Sequence, residues 1–342
     1  MIYKSLAVST IRAINIGDYV QALAASQFLP KVDGFIEREL LDEYDGESCK
    51  MIMNAYYMHD GKHWPPSPKI TPLFVAMHIN TLVRDDFSRK ESLEYLKKHE
   101  PIGCRDYDTL GFLQKLGVKA YFSGCLTLTL GRKYEHLGEK RGVYFVDPHV
   151  TFSNRYEKGA YYLYSFILNR KVKKIGEKYF KHTNLSPKER SFICKFYTKY
   201  RKVFTEETIL NAGYETQESS YYNSNFKTND ALLKEAERLI KMYSKAALVV
   251  TSRIHCALPC LGMNVPVIYI NNKLQSEASE CRLKGLRDLF NIIHWRNNGL
   301  TLNFEQKGLL SEENHPENKD LWKGLASNLT KQCLDFIDKI EL

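Results

Sequence analysis

Short apolar runs alternate along this chain with longer amphipathic stretches, and polar or glycine-containing breaks separate them. Residues 6–9 read as a first strand, 15–18 as the loop after it, and 19–29 as a helix with one apolar face. Residues 50–54, 73–78 and 101–104 continue the strand pattern. Residues 105–116 have helical periodicity and stop at Gly117, and 119–124 is the strand that follows. A second series begins at 142–147. Residues 151–205, rich in Lys, Tyr and Phe, predict an amphipathic helical region, and Leu232, Leu233, Ala236, Leu239, Ile240 and Tyr243 form one stripe of a helix over residues 229–243. A further amphipathic helix follows Leu310 and ends near Ile340. This alternation predicts an α/β fold with mainly parallel sheets. The charged cluster Arg132, Lys133, Glu139, Lys140 and Arg141 marks a boundary, which divides the chain into units 1–135 and 136–310 and a helical segment 311–342. Two such halves face to face enclose a cleft lined by the strand-end loops of both.

Residues 246–270 carry the most chemistry. The apolar run 246–250 predicts a buried parallel strand, and 265–270 predicts the next one. Between them lies a helix that Thr251 or Ser252 can cap and that Gly262 and Asn264 close. Arg253 and His255 fall at its start, where a permanent cation and a titratable imidazole stand beside free backbone N–H groups. That combination predicts a phosphate or carboxylate ligand.

Composition narrows the possibilities. The 342 residues are 44% hydrophobic and 26% charged, as in ordinary globular chains, and the length suits two units. The formal charge of +9 favours an acidic partner, but no basic block with interleaved aromatics supports nucleic acid. Eight cysteines without a CxxC pair argue for reduced thiols and against a zinc site or a disulfide scaffold. The first residues read as a strand and lack the apolar core of a signal peptide, and no stretch reads as a membrane span. A cytoplasmic location follows as an expectation, with a basic surface able to dock peripherally on the inner face of the plasma membrane.

The segment Thr251-Ser-Arg-Ile-His255, with 257–261 and 265–268 after it, resembles the polysaccharide pyruvyltransferases. So do Asn15-Ile-Gly-Asp18, residues 54–59, the 102–106 junction and residues 123–127, so that the likeness spans roughly residues 8 to 290. The resemblance implies the two-domain GT-B-like architecture, in which two Rossmann-like domains face a central cleft. It also implies transfer of pyruvate from phosphoenolpyruvate (PEP) onto two hydroxyls of a sugar to form a cyclic ketal. The donor is a substrate, and neither cofactor nor metal is implied. The expected acceptor is a hexose such as galactose on an undecaprenyl-diphosphate-linked surface-glycan precursor.

PEP carries a phosphate and a carboxylate, and Arg105 and Arg253 lie at strand-to-helix junctions, one in each half, from which a clamp can be built. Arg253, His255, Ser252 and Arg105 are therefore the expected donor ligands. His255 is the expected general acid or phosphate partner, a role that the resemblance also implies for it and for Arg253. Asn15, Gly17 and Asp18 after the first strand, with His78 and Tyr57, are expected on the acceptor side, and Asp18 is the candidate base. Plainer roles compete: turn and cap for Asn15 and Asp18, a structural histidine for His78, core for Tyr57, and an ion pair with Asp106 or Asp108 for Arg105. A nucleotide-sugar glycosyltransferase of the same architecture is the rival function, ahead of a non-catalytic assembly partner or a DNA-binding protein.

Overall fold

A computed structural model of the chain describes residues 1–7, 14–271, 280–296 and 299–339. Val8 and Ser9, the end of the expected first strand, and Ile340 lie outside the described residues.

The protein is a mixed α/β structure. In the first half, β1 (Ile2–Ala7), β2 (Phe35–Glu37), β3 (Cys49–Met53) and β5 (Ile70–Phe74) form a parallel sheet in the order β2-β1-β3-β5. Two small parallel pairs continue it: β4 (Tyr56–Tyr57) with β6 (His78–Ile79), and β7 (Ile102–Cys104) with β8 (Ala120–Phe122). A bridge between Met77 and Cys104 links them and sets His78 and Arg105 side by side. The second sheet runs β10 (Gly213–Glu215), β9 (Val143–Val146), β11 (Leu248–Thr251), β12 (Val267–Asn271), β13 (Asn291–Arg296) and β14 (Gly299–Leu302), antiparallel only at the last pair.

The central strands β11 and β12 are buried on both faces, as parallel strands between helical layers must be. Their side chains alternate between two cores. Leu248, Val250, Ile268 and Ile270 join the outer one. Val249, Val267 and Tyr269 join an inner core that also holds Ile16, Tyr19, Val20 and Leu23 of α1 (Ile16–Ser26). The inner core is thus shared by both halves, so α1 is a central element rather than a surface helix.

Three more helical regions matter here. Among the described residues α2 (Arg84–Phe87), α3 (Lys90–Lys98), α4 (Tyr107–Lys115) and α5 (Gly131–Tyr134) complete the first half. Between β9 and β10 come α6 (Arg155–Ile167), α7 (Asn169–Phe180), α8 (Pro187–Tyr200) and α9 (Glu206–Asn211). They are followed by α10 (Ser219–Asn225), α11 (Asn229–Tyr243), α12 (Ile254–Gly262) and α13 (Leu321–Asp338). The last of these returns to the first half, where the buried Lys50 ammonium on β3 donates to the carbonyls of Phe336 (3.2 Å) and Lys339 (2.5 Å) at its end. A cation at a helix C-terminus satisfies orphan carbonyls and opposes the negative end of the dipole. All eight cysteines are buried, and none forms a disulfide with another described residue.

Candidate active site

The parallel register fixes the site. Val146 pairs with Thr251, so Asp147 and Ser252 leave neighbouring strand ends together. The Ser252 hydroxyl donates to the Asp147 carbonyl at 2.6 Å. Thr251 Oγ1 accepts from the Arg253 N–H at 2.9 Å, and Arg253 itself occupies the N-cap of α12 without a side-chain cap bond. Neither hydroxyl therefore caps the helix. Both shape the turn before it. Asn264, at φ 52°, takes the left-handed position past the helix end.

Arg253 is not an open cation. Its Nε donates to Asp147 Oδ2 at 2.8 Å, and its Nη2 pairs closely with Glu218. Asp147 Oδ2 also accepts from the Gln217 N–H at 2.7 Å, and Asp147 holds a left-handed φ of 43°. The buried Asp147 is a fixed anchor, whereas Glu218 is mostly exposed and makes a partner that a stronger anion can displace.

His255 projects back toward α1. A Cβ placed on Gly17 would lie 2.5 Å from His255 Nδ1, so the absence of a side chain at Gly17 makes room for the imidazole. The other ring nitrogen, Nε2, is buried without a hydrogen-bond partner. Burial first, then the charges of Arg105 and Arg282, push the His255 pKa well below the ordinary histidine range.

Arg105 follows β7 and is almost wholly buried. Its Nη1 reaches Gln21 Oε1 at 3.4 Å, its Nε has no hydrogen-bond partner, and the nearest carboxylate, Asp106, is 3.9 Å away. Asp106 is committed elsewhere. It caps α4 by accepting from the Thr109 N–H at 2.9 Å and accepts from His78 Nδ1 at 2.6 Å. Burial would raise the Asp106 carboxyl, but the hydrogen bond from His78, with the charges of His78 and Arg105, holds it below the usual carboxylate range. The His78 pKa is lowered, by burial above all. The pair is therefore a neutral imidazole donating to a carboxylate. Asp108, the other acid expected beside Arg105, is taken by Arg84 and by Lys284 at 3.4 Å.

Sequence reading missed Arg282. The segment around it docks on the first half: the Lys284 carbonyl accepts from the Tyr107 N–H at 3.2 Å, and Gly285 abuts the Tyr107 and Phe122 rings. Arg282 is exposed over much of its surface and has no ion-pair partner among the described residues, and partial loss of hydration and then Arg105 lower its pKa. It also acts electrostatically on His255, His78 and Tyr56. No motif marks this position in the sequence, because the fold alone brings it to the junction.

Asn15 caps α1, its side chain accepting from the Gly17 N–H at 3.1 Å, so residues 15–18 are a cap and first turn rather than a loop. Asp18 accepts from Gln21 at 3.1 Å and meets the buried Arg38 at 3.4 Å. Tyr57, expected to contact an acceptor, is instead core: its ring is fully buried with the Trp64 ring centroid 5.7 Å away. His78 is buried as well, stacked with Tyr56 at 5.5 Å, and supports Asp106 rather than opening onto solvent. Among the described residues, Asp42, Glu43 and His63 are grouped closely enough to share a cation, on the surface, with no further feature there that points to one.

A family model described as polysaccharide pyruvyl transferase matches residues 15–273, well over half of the chain. Comparison with curated proteins and with solved structures gives no significant match. The matched span includes both strand-to-helix junctions described above, those of Arg105 and of Arg253 with His255. The chain belongs to the polysaccharide pyruvyl transferase family, with the general role of a pyruvyl-transferring enzyme of polysaccharide biosynthesis.

Proposed function

We propose that the protein transfers pyruvate from PEP onto two hydroxyls of one sugar, a hexose of a surface-glycan precursor, and closes a cyclic ketal. The observation that carries this reading is that Arg105 and Arg282 both act on the buried His255, whose Nε2 has no hydrogen-bond partner, while Arg105 Nε lacks a hydrogen bond and Arg282 has no ion pair among the described residues. Two arginines that act on one buried imidazole favour a ligand with more than one negative charge, and PEP presents a phosphate and a carboxylate. The parallel strands of each half, with both sets of strand ends turned to one junction, support the two-Rossmann GT-B-like arrangement.

In this mechanism Arg105 and Arg282 hold the two anionic groups, and Arg253 exchanges Glu218 for a donor oxygen while Asp147 keeps its aim. The arriving negative charge raises the His255 pKa, so the imidazole takes up a proton that the empty site disfavours. His255 then donates this proton to the methylene carbon of PEP, and C2 becomes an oxocarbenium centre. The first sugar hydroxyl adds to C2 as Asp18 accepts its proton. The C–O bond to phosphate breaks, the second hydroxyl adds to C2, and its proton leaves with the phosphate. One PEP and one diol thus give one ketal and one inorganic phosphate. The sequence calls on no cofactor.

Incubation with PEP and a panel of hexosides tests the proposal, with phosphate release and a ketal methyl signal read together. Transfer from a UDP- or CMP-sugar, with no use of PEP, would make the protein a glycosyltransferase instead.

A further inference from the structure

The region between β9 and β10 adds helices that the donor chemistry does not use. Helix α6 packs one side on α8: Glu157 pairs with Lys195 at 2.5 Å, and the Ser165 hydroxyl accepts from Arg190 at 3.1 Å. The other side is open to solvent, apart from Arg155 over the Tyr156 ring (5.0 Å) and Arg190 of α8 over the Phe166 ring (4.7 Å). Tyr156, Leu163, Phe166 and Ile167 are 73, 69, 54 and 77% exposed, and with Tyr164 they are five of the thirteen large hydrophobic side chains left exposed among the described residues. Scattered apolar groups on a surface are ordinary, but a stripe at positions i, i+7 and i+11 of one helix is not.

The charge around it is equally uneven. Residues 155–181 hold eight Lys and Arg against two acids, a surplus of six within a chain whose whole surplus is nine. Arg170, Lys173, Lys174 and Lys178, with the single acid Glu177 among them, line a shallow furrow on α7, which begins two residues after Ile167. Arg170 is three residues past that isoleucine, across the break between the two helices at Leu168.

We infer that the apolar side of α6, with the cations of α7 beside it, docks the protein on an anionic lipid bilayer surface. A helix of this kind lies in the headgroup plane, its leucine, isoleucine and aromatic groups entering the acyl boundary while nearby cations meet lipid phosphates. A protein partner would need acids opposite the furrow and an apolar groove, whereas a bilayer offers both chemistries at once. Helix α6 begins shortly after Asp147, the residue that anchors Arg253, so docking would set the strand-end junction near the membrane plane. A lipid-linked acceptor would be met there. The inference does not rest on pyruvyl transfer, since vesicle binding is read without turnover.

The test is co-sedimentation of the full chain with phosphatidylcholine vesicles, with and without about one third phosphatidylglycerol. The expected result is binding only to the anionic vesicles, lost in high salt. Leu163→Asp with Ile167→Asp, and separately Arg170→Glu with Lys173→Glu and Lys174→Glu, should each lower the bound fraction about ten-fold or more. Leu82→Asp, at an exposed leucine elsewhere, should not change it. Unaltered melting curves establish that the variants are folded. Equal binding to neutral vesicles, or unchanged binding by either set of variants, overturns the inference. So does a dimer in solution that the α6 substitutions dissociate without any vesicle binding by wild type.

Discussion

Gly17, in the first turn of α1, and His255, in the first turn of α12, touch across the two halves so closely that no side chain fits between them. The contact places the partnerless Nε2 of His255 where Arg105 and Arg282 act on the ring. It also explains why a glycine stands in a helix first turn where its backbone conformation does not require one.

Gly17→Ala should therefore displace the imidazole. A misplacement of about 1 Å can cost about a hundred-fold in rate, so a fall in kcat/KM of between about ten- and a hundred-fold is expected, with the fold retained. Gly111→Ala is the matched control, because its added methyl would meet nothing within 4 Å. That change should leave activity intact and stabilise α4 by about 0.5–1 kcal/mol. Steady-state kinetics and thermal melts of the two variants decide the matter.

Proton uptake should accompany donor binding. In the free protein His255 is held neutral, its pKa well below the usual range through burial and the two arginines. PEP reverses the second effect by placing negative charge beside the ring. Calorimetry near pH 7 in buffers of differing ionisation enthalpy should show uptake of up to about one proton, absent in His255→Gln. The same depressed pKa has a consequence for stability. As pH falls below about 6.5 the unfolded chain protonates this histidine and the folded one does not, so stability declines by up to about 1.4 kcal/mol per pH unit. His255→Gln should flatten that decline relative to wild type.

Arg253 and Glu218 offer a test with the opposite sign. Glu218 competes with the donor for the guanidinium but is mostly exposed, and exposed pairs are worth about 0–1 kcal/mol. Glu218→Gln should tighten PEP binding by up to about five-fold. Arg253→Ala should abolish PEP use while leaving the chain folded. Intact turnover in the latter variant would remove Arg253 from the site.

The His78–Asp106 pair should behave as structure. Both groups are buried, and removing Asp106 leaves the neutral His78 imidazole without its acceptor, which costs about 1–3 kcal/mol. Asp106→Ala should show a loss of that size by chemical denaturation. It should also weaken PEP binding, because the α4 cap and the neighbouring Arg105 share the same turn.

Much of this arrangement is legible in the sequence, and the limits have physical causes. The β11–α12–β12 unit is readable because its strands are buried on both faces and give unbroken apolar runs, with Arg253 and His255 between them. The helix over Asn229–Tyr243 is readable from its stripe. The apolar segment 73–78 looks continuous, yet β5 ends at Phe74 and Ala76 turns to φ 52°, so His78 starts a separate strand and faces Asp106. Tyr57 reads as an acceptor-side residue because the sequence does not show which way its ring faces, and the fold turns it into the core. Arg282 is invisible for a related reason: what matters is the docking of Lys284 on Tyr107, a contact between residues far apart in the chain. The ion pairs of Arg253 with Asp147 and Glu218 likewise depend on strand register and a loop, which periodicity does not encode.

The most direct measurement is calorimetric titration of PEP into wild type, Arg105→Ala and Arg282→Ala, with inorganic phosphate and UDP- and CMP-sugars in parallel. Wild type should bind PEP in preference to the other ligands. Loss of a charge-assisted contact worth about 1.5–3 kcal/mol should weaken binding about ten- to a hundred-fold in each variant, without lowering the melting temperature of Arg282→Ala. PEP affinity unchanged in Arg282→Ala, or heat from a nucleotide-sugar and none from PEP, would contradict the assignment of this junction as the donor site.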